Sequence, residues 1–268
     1  TRNPGSARLP EGIAAAGWED LRATLEGADA VINLAGEGIA EGRWTPTRKL
    51  GILLSRLQAT QSIVKAMAAC ERPPAALVNA SAIGHYLPKG LGPVDEDAPA
   101  GEGFLADVCR AWEAEALAAE PHSRVALVRI GVVLAREGGA LPEMAKPVRL
   151  FAGCKLGLGT QGLSWIHLDD LVAMLVEAAR NDAWRGPVNG TAPEPLSNEA
   201  FTRLIAQALR RPLWPVPGFL TTFATKLLLG EMADALLLQG AYVKPARALA
   251  WGFRFRHATA ESALRDLL

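Results

Sequence analysis

Ala30-Val31-Ile32-Asn33-Leu34-Ala35-Gly36 is a short apolar run that closes on two small residues and passes into Glu37-Gly38-Ile39-Ala40-Glu41-Gly42. Such a run suits a strand buried on both faces, as in a parallel sheet. Upstream, Trp18 to Leu25 has helical spacing and Gly27 stops it. Downstream, Pro46 sits where a helix begins. Leu50, Leu53, Leu54, Leu57, Ile63, Val64 and Met67 then recur at three- and four-residue intervals until Pro73-Pro74. Ala75 to Ser81 reads as the next strand, Gly103 to Ala119 as the next helix, and Arg124 to Leu134 as a third, β-branched strand. Strand, helix, strand, helix, strand implies a parallel sheet with right-handed crossovers.

From Gly138 onward glycine-rich loops, tryptophan-rich patches and short helices replace that alternation, with helices expected over 170–180 and 197–209 and a leucine-rich helical pair over 219–238. The expected organisation is a sheet domain over 1–137 and a smaller C-terminal α/β lobe over 138–268, some of whose elements return to the sheet. A chain of 268 residues can bury a full core. Lys plus Arg and Asp plus Glu are 28 each, so no bulk field would hold nucleic acid or an anionic membrane. Cys70, Cys109 and Cys154 are too few and too far apart for a disulfide framework or a CxxC metal pair, which points to a reducing cytoplasm. Lys226, Glu231 and Asp234 interrupt the most apolar stretch, well short of the roughly 20 residues that span a bilayer. Small ligands or a protein partner remain.

Gly36, Gly38 and Gly42 imitate the glycine turn that lets a pyrophosphate approach backbone N–H groups. The spacing is GxGxxxG, Arg43-Trp44-Thr45-Pro46 intervenes before the helix, and no acid lies about 20 residues on to take a ribose hydroxyl. These glycines are therefore not read as a phosphate loop.

Asn33-Leu34-Ala35-Gly36, Ser81-Ala82-Ile83-Gly84-His85-Tyr86, Arg129-Ile130-Gly131-Val132-Val133-Leu134 and Trp165-Ile166-His167-Leu168-Asp169-Asp170 occur in order at fitting distances. Together they resemble the extended short-chain dehydrogenase/reductase superfamily. Arg43-Trp44-Thr45-Pro46, Gly138-Gly139-Ala140-Leu141, Gly190-Thr191-Ala192-Pro193 and the leucine-rich tail resemble, more narrowly, its NAD-dependent epimerase/dehydratase-like branch, whose C-terminal domain has no assigned role. The resemblance implies a Rossmann-like, doubly wound parallel sheet and an NADP(H) cofactor. It also implies a first strand, glycine turn, helix and most of a second strand ahead of Thr1-Arg2-Asn3-Pro4, so an N-terminally truncated sheet without its central strand is expected. Arg2 would then meet the adenosine 2'-phosphate, and Leu34, Ala35, Gly36, Glu37 and Ala80 would line the cofactor.

The superfamily's catalytic set is a Ser or Thr, a Tyr acid/base, and a Lys four residues after it. Only Tyr86 and Tyr242 exist here, and Gly90 and Ala246 stand where each would need its Lys. The helix that normally carries the pair reads Val108-Cys109-Arg110-Ala111-Trp112-Glu113. Ser81 and Tyr86 are the catalytic candidates, with Lys89 or Arg110 as the charge beside the phenol. His85 reads as a surface-loop histidine, a proton shuttle being the alternative. His167 is expected to tie the following helix to the core, with Asp169 or Asp170 as its cap. No HxxxH or Cys/His cluster suggests a metal. Gly157 to Gly162 is either a connector or a lid. Trp44, Trp112, Trp165, Trp184, Trp214 and Trp251 read mainly as core or lobe-interface bulk.

Two functions follow. One is an NADP(H)-dependent epimerase or reductase acting on a small carbonyl or nucleotide-sugar-like substrate. The other is a non-catalytic NADP(H)-binding regulator or scaffold whose leucine-rich tail is a partner surface, for instance in a homodimer.

Overall fold

The computed structural model describes residues 3–86 and 92–268, so Arg2 and Lys89 lie outside the described residues. Four strands form the main sheet: β1 (Ala30–Asn33), β2 (Ala76–Ala82), β3 (Arg124–Ile130) and, late in the chain, Gly186–Gly190. They lie side by side in that order and all run parallel. The register sets Asn33 beside Asn79, and Ser81 beside Arg129 beside Asn189. Ser81, Arg129 and Asn189 therefore line up toward the carboxyl end of the sheet.

The crossovers are helices. Between β1 and β2 runs α1 (Pro46–Ala68), with Pro46 in its first turn and the Thr45 hydroxyl accepting from Arg48 N–H at 3.2 Å. Between β2 and β3 runs α2 (Phe104–Leu117). Successive strand residues feed opposite faces. Leu77, Val125 and Leu127 pack with Ile63, Val64 and Met67, while Val78, Ala126 and Val128 pack with Met174, Leu175 and Trp184. Each fully buried side chain of this size contributes about 1.5–3 kcal/mol.

The expected third strand over 124–134 breaks at Gly131. A Cβ there would lie 2.7 Å from the Ser164 carbonyl oxygen and 2.9 Å from Thr191 Cγ2, so only glycine lets the two backbones pass. Beyond it β4 (Val132–Leu134) leaves the main sheet and pairs in parallel with β5 (Trp165–His167). The next helix, α3 (Leu168–Arg180), packs back onto the main sheet ahead of its fourth strand, β6 (Gly186–Gly190). A separate core around Trp165, Phe201, Ile205 and Leu264 joins α4 (Asn198–Leu209) to the last helix of the chain.

Two burial expectations need correction. β1 is not covered on both faces: it pairs with β2 alone among the described residues, and Ile32 remains 41% exposed. The leucine-rich tail is helical over the expected range, but it is poorly covered. After α5 (Gly218–Leu229), Gly230 adopts φ +61° and the chain continues as a short turn of helix and a π-helical segment, Asp234–Leu238. Phe219, Phe223, Leu227 and Leu228 point outward from α5, and Trp214 is exposed rather than core. No described helix is long and apolar enough to cross a membrane.

Candidate functional site at the carboxyl edge of the sheet

The end of β1 is shaped by Asn33. Its amide donates to Asn79 Oδ1 at 2.6 Å and to Thr60 Oγ1 at 3.0 Å, and its own oxygen accepts from Ala35 N–H at 3.1 Å. Trp112 Nε1 donates to the same Thr60 hydroxyl at 3.0 Å. This buried network fixes the Ala35-Gly36 turn. Leu34 is exposed, Ala80 is buried inside β2, and Glu37 N–H donates to Ser55 Oγ at 3.1 Å. The Glu37 carboxylate pairs with Arg48 at 2.7 Å. Leu34, Ala35, Gly36 and Glu37 thus form one lip beyond the strand, and Ala80 lies on the strand alongside. Of the three glycines that imitate a phosphate loop, Gly42 alone has a left-handed φ, and α1 starts only at Pro46.

Ser81 and Tyr86 occupy neighbouring positions but face inward. The Ser81 hydroxyl donates to Glu113 Oε1 at 2.6 Å. Glu113 also receives the Arg129 fork, Nε at 2.8 Å and Nη2 at 2.9 Å. The remaining Arg129 nitrogen, Nη1, donates to Tyr86 Oη at 2.8 Å, and the phenol donates in turn to Asn189 Oδ1 at 2.8 Å. Ser81, Tyr86, Glu113 and Arg129 are all less than a tenth exposed. The cation at Tyr86 is therefore Arg129 and not Arg110, whose guanidinium turns to Asp107 and to the Gly101 carbonyl.

The electrostatics follow from that wiring. Burial alone would raise the Glu113 carboxyl, but the Arg129 fork, the Ser81 hydroxyl and His85 outweigh it and hold it below the usual carboxylate range. Burial pushes the Tyr86 phenol up, with Arg129 opposing only in part. It pushes the Cys109 thiol up to about 11, helped by the Glu113 charge. The proton of the Tyr86 hydroxyl is committed to Asn189 and its oxygen accepts from Arg129, and Cys109 is held as a neutral thiol.

Cys109 and Glu113 were missed in the sequence as functional candidates, as was Arg129. The available signal was their i, i+4 spacing on α2, the spacing the superfamily uses for its Tyr and Lys. His85 is not a surface-loop residue: it is buried, with Nδ1 3.7 Å from Glu113 Oε2 and its ring edge-on to Tyr86 at 5.1 Å. His167 is itself the cap of α3, accepting from Asp169 N–H at 3.0 Å, while Asp170 accepts from the backbone of Arg256 and His257.

The fold does gather a His and carboxylate group that the linear spacing does not show: His167, His257 and Asp266. His167 Nδ1 is the acceptor of the cap bond, so in the neutral ring Nε2 carries the proton and donates to Asp266 at 3.3 Å. That polarity makes a hydrogen-bonded clasp between α3 and α6 (Ala260–Leu267) rather than converging metal lone pairs. Gly157 to Gly162 packs on the C-terminal part, with Gly157 N–H on Thr221 Oγ1 at 2.9 Å and Gly162 close against Ala241.

Residues 13–189 match the NAD dependent epimerase/dehydratase family, and residues 220–267 match a domain of unknown function, DUF1731. The chain is 42% identical over 260 residues to the chloroplastic epimerase family protein SDR39U1 homolog of Arabidopsis thaliana, covering 96% of this chain and 73% of that protein. The crystal structure of the human epimerase family protein SDR39U1 with NADPH superposes with a TM-score of 0.88 at 34% identity, over 97% of this chain and 88% of the human one. A nucleoside-diphosphate sugar epimerase from Corynebacterium glutamicum superposes with a TM-score of 0.75 at 29% identity, over 97% of this chain and 51% of its own. The four-stranded parallel edge, its Asn33-Leu34-Ala35-Gly36 lip and these matches agree, and the chain belongs to the NAD dependent epimerase/dehydratase family.

Proposed function

We propose that this protein binds NADP(H) along the carboxyl edge of its sheet and does not carry out hydride transfer by the superfamily's Tyr-and-Lys route. Cofactor binding rests on the family, on the small-residue lip Ala35-Gly36 at a strand end where open α/β sheets take ligands, and on the NADPH in the similar human structure. The observation that carries the second half is the Ser81–Glu113–Arg129 cluster. Where a Lys would lower the pKa of a Tyr, α2 offers a carboxylate already neutralised by an arginine, and a thiol that burial keeps protonated. The Tyr86 phenol is sealed between Arg129 and Asn189, so it presents no proton to a substrate. The NADP(H) would be held by the lip 34–37 on one side; when bound it supplies a hydride donor or acceptor. The residues of this chain would position it and exclude water. In this reading the 1–137 part is the cofactor domain and the 138–268 part shapes the adjoining surface.

NADPH fluorescence titration tests the binding, on this chain and on the chain extended at its N-terminus by a glycine-turn βαβ unit. The reading expects saturable binding of NADPH with no consumption across ketones, aldehydes and nucleotide sugars. Turnover that is lost in Ser81→Ala would show Ser81 working on substrate and overturn it.

A further inference from the structure

Arg56 lies on α1 beside the lip of the site. Its guanidinium stacks over the Trp112 ring at 5.1 Å, and a Cβ on Gly36 would meet the Arg56 side chain at 3.1–3.3 Å. One nitrogen, Nη1, donates to the carbonyls of Ile52 at 2.9 Å and Glu37 at 3.1 Å. Among the described residues, Nε and Nη2 have no protein acceptor, and no carboxylate forms an ion pair with this group. The contrast with its neighbours is informative. Arg48 holds the Glu37 carboxylate, Arg129 holds Glu113, and Arg247 holds Asp97. Arg56 is half-buried, and although the Glu37 charge is felt there it makes no direct ion pair.

A half-buried guanidinium whose fork touches no carboxylate, the Glu37 charge being felt only at a distance, is costly unless something in the working protein compensates it. Its plane is already fixed by Trp112 and by the two carbonyls, so little freedom would be lost when a planar or tetrahedral oxyanion takes the open fork. Burial lowers its proton affinity, and its stacking on Trp112 sets it against α2, the helix that also carries Cys109 and Glu113. Gly36 has a direct part in this arrangement, because a Cβ there would crowd the guanidinium and make it shift.

We propose that Arg56 is the receptor for an oxyanion, a carboxylate or phosphate group, on a small ligand that enters between Gly36 and Trp112. The inference rests on the reading of this sheet edge as the ligand site and adds the charge class of what binds there. The oxyanion belongs either to the cofactor's phosphates or to a second ligand bound next to it.

The test uses the full chain with 15N-labelled arginine and tryptophan side chains, titrated with inorganic phosphate and with malonate against chloride at constant ionic strength. A saturable millimolar shift of the Arg56 Nε–Hε signal is expected in the wild type; followed through the 15N-labelled Trp112 indole N–H, which every variant keeps and which the guanidinium stacks against, the response should vanish in Arg56→Gln and be about tenfold weaker in Arg56→Lys, which keeps the charge without the fork. Arg203→Gln, which changes an exposed surface pair, should leave the titration unchanged. A linear, non-saturating shift in the wild type, or the same affinity in Arg56→Gln, would overturn the proposal, and the wild-type titration stands even if one variant fails to fold. Repeating it with NADPH assigns the source: loss of phosphate binding identifies the cofactor's own phosphate, and retained binding identifies a second ligand. NADPH binding is read separately from its own fluorescence. Cofactor binding without an anion response would sink this inference alone, whereas an anion response without cofactor binding would sink the cofactor reading alone.

Discussion

Replacing Glu113 by Gln removes one charge and almost no volume, and its effect can be worked from the geometry. In the wild type Glu113 accepts three hydrogen bonds at 2.6–2.9 Å from Ser81 and the Arg129 fork. Arg129 is 5% exposed and cannot turn to water. Glu113→Gln leaves that guanidinium without its counter-charge, a change that costs about 3–5 kcal/mol in buried pairs. In a chain of this size that corresponds to a fall in Tm of roughly 6–20 °C. The double variant Glu113→Leu/Arg129→Met removes both charges together and should recover at least half of the loss. Urea and thermal unfolding of the singles and the double give the coupling directly. The pH dependence gives a second reading of the same group. Its folded pKa is depressed, so its stabilising effect is present above the unfolded value near 4.5 and is lost as the pH falls through the lower folded value. Glu113→Gln should therefore flatten the acid limb of the stability curve below about pH 4.5. A loss under 1 kcal/mol with an unchanged acid limb would refute the buried ion pair as the organiser of the site.

Four further outcomes are expected. Gly131→Ala should destabilise by about 2 kcal/mol by forcing a Cβ into the Ser164 and Thr191 contacts, as read by urea unfolding. Thr45→Ala should cost about 1 kcal/mol through loss of the α1 cap; no change in the urea midpoint would mean the cap is idle. Ser164→Ala strands the Val243 N–H and the Ala241 carbonyl that the hydroxyl now bridges, and should cost about 2 kcal/mol in the same assay. Cys109, 3% exposed with its thiol raised to about 11, should resist iodoacetamide at pH 8 in the native chain and react in urea; rapid native labelling seen by mass spectrometry would contradict its burial.

The sheet was legible because buried strands and their crossover helices leave strong periodic signals, as in Ala76 to Ala82 and along Ile63, Val64 and Met67, although Leu50 and Leu54 of the same stripe stay exposed and the buried Ile52 was not in it. The break at Gly131 was not, because a β-branched run continues through it and the cause is the approach of Ser164, distant in sequence. Likewise the apolar run around Ile32 looked buried on both faces, and nothing in it showed that Ile32 itself stays exposed. At the site, the absence of YxxxK could be read directly. What replaced it could not, since Glu113, Arg129, Tyr86 and Asn189 come from four separate elements: the register sets Arg129 beside Asn189, and Glu113 and Tyr86 reach them from a helix and a turn. His85 was misread for the same reason: one residue in a loop carries no record of the carboxylate that packs against it.

The most direct test of the central claim follows hydride itself. The form of the chain that binds NADPH would be incubated with NADPH deuterated at C4 and a panel of ketones, aldehydes and nucleotide sugars, with products read by mass spectrometry. The account predicts bound cofactor and no deuterium in any product above the protein-free control. Deuterium transfer that disappears in Ser81→Ala and in Tyr86→Phe would contradict it, and would mean that the Ser81–Glu113–Arg129 cluster opens to do the chemistry it is here said to have set aside.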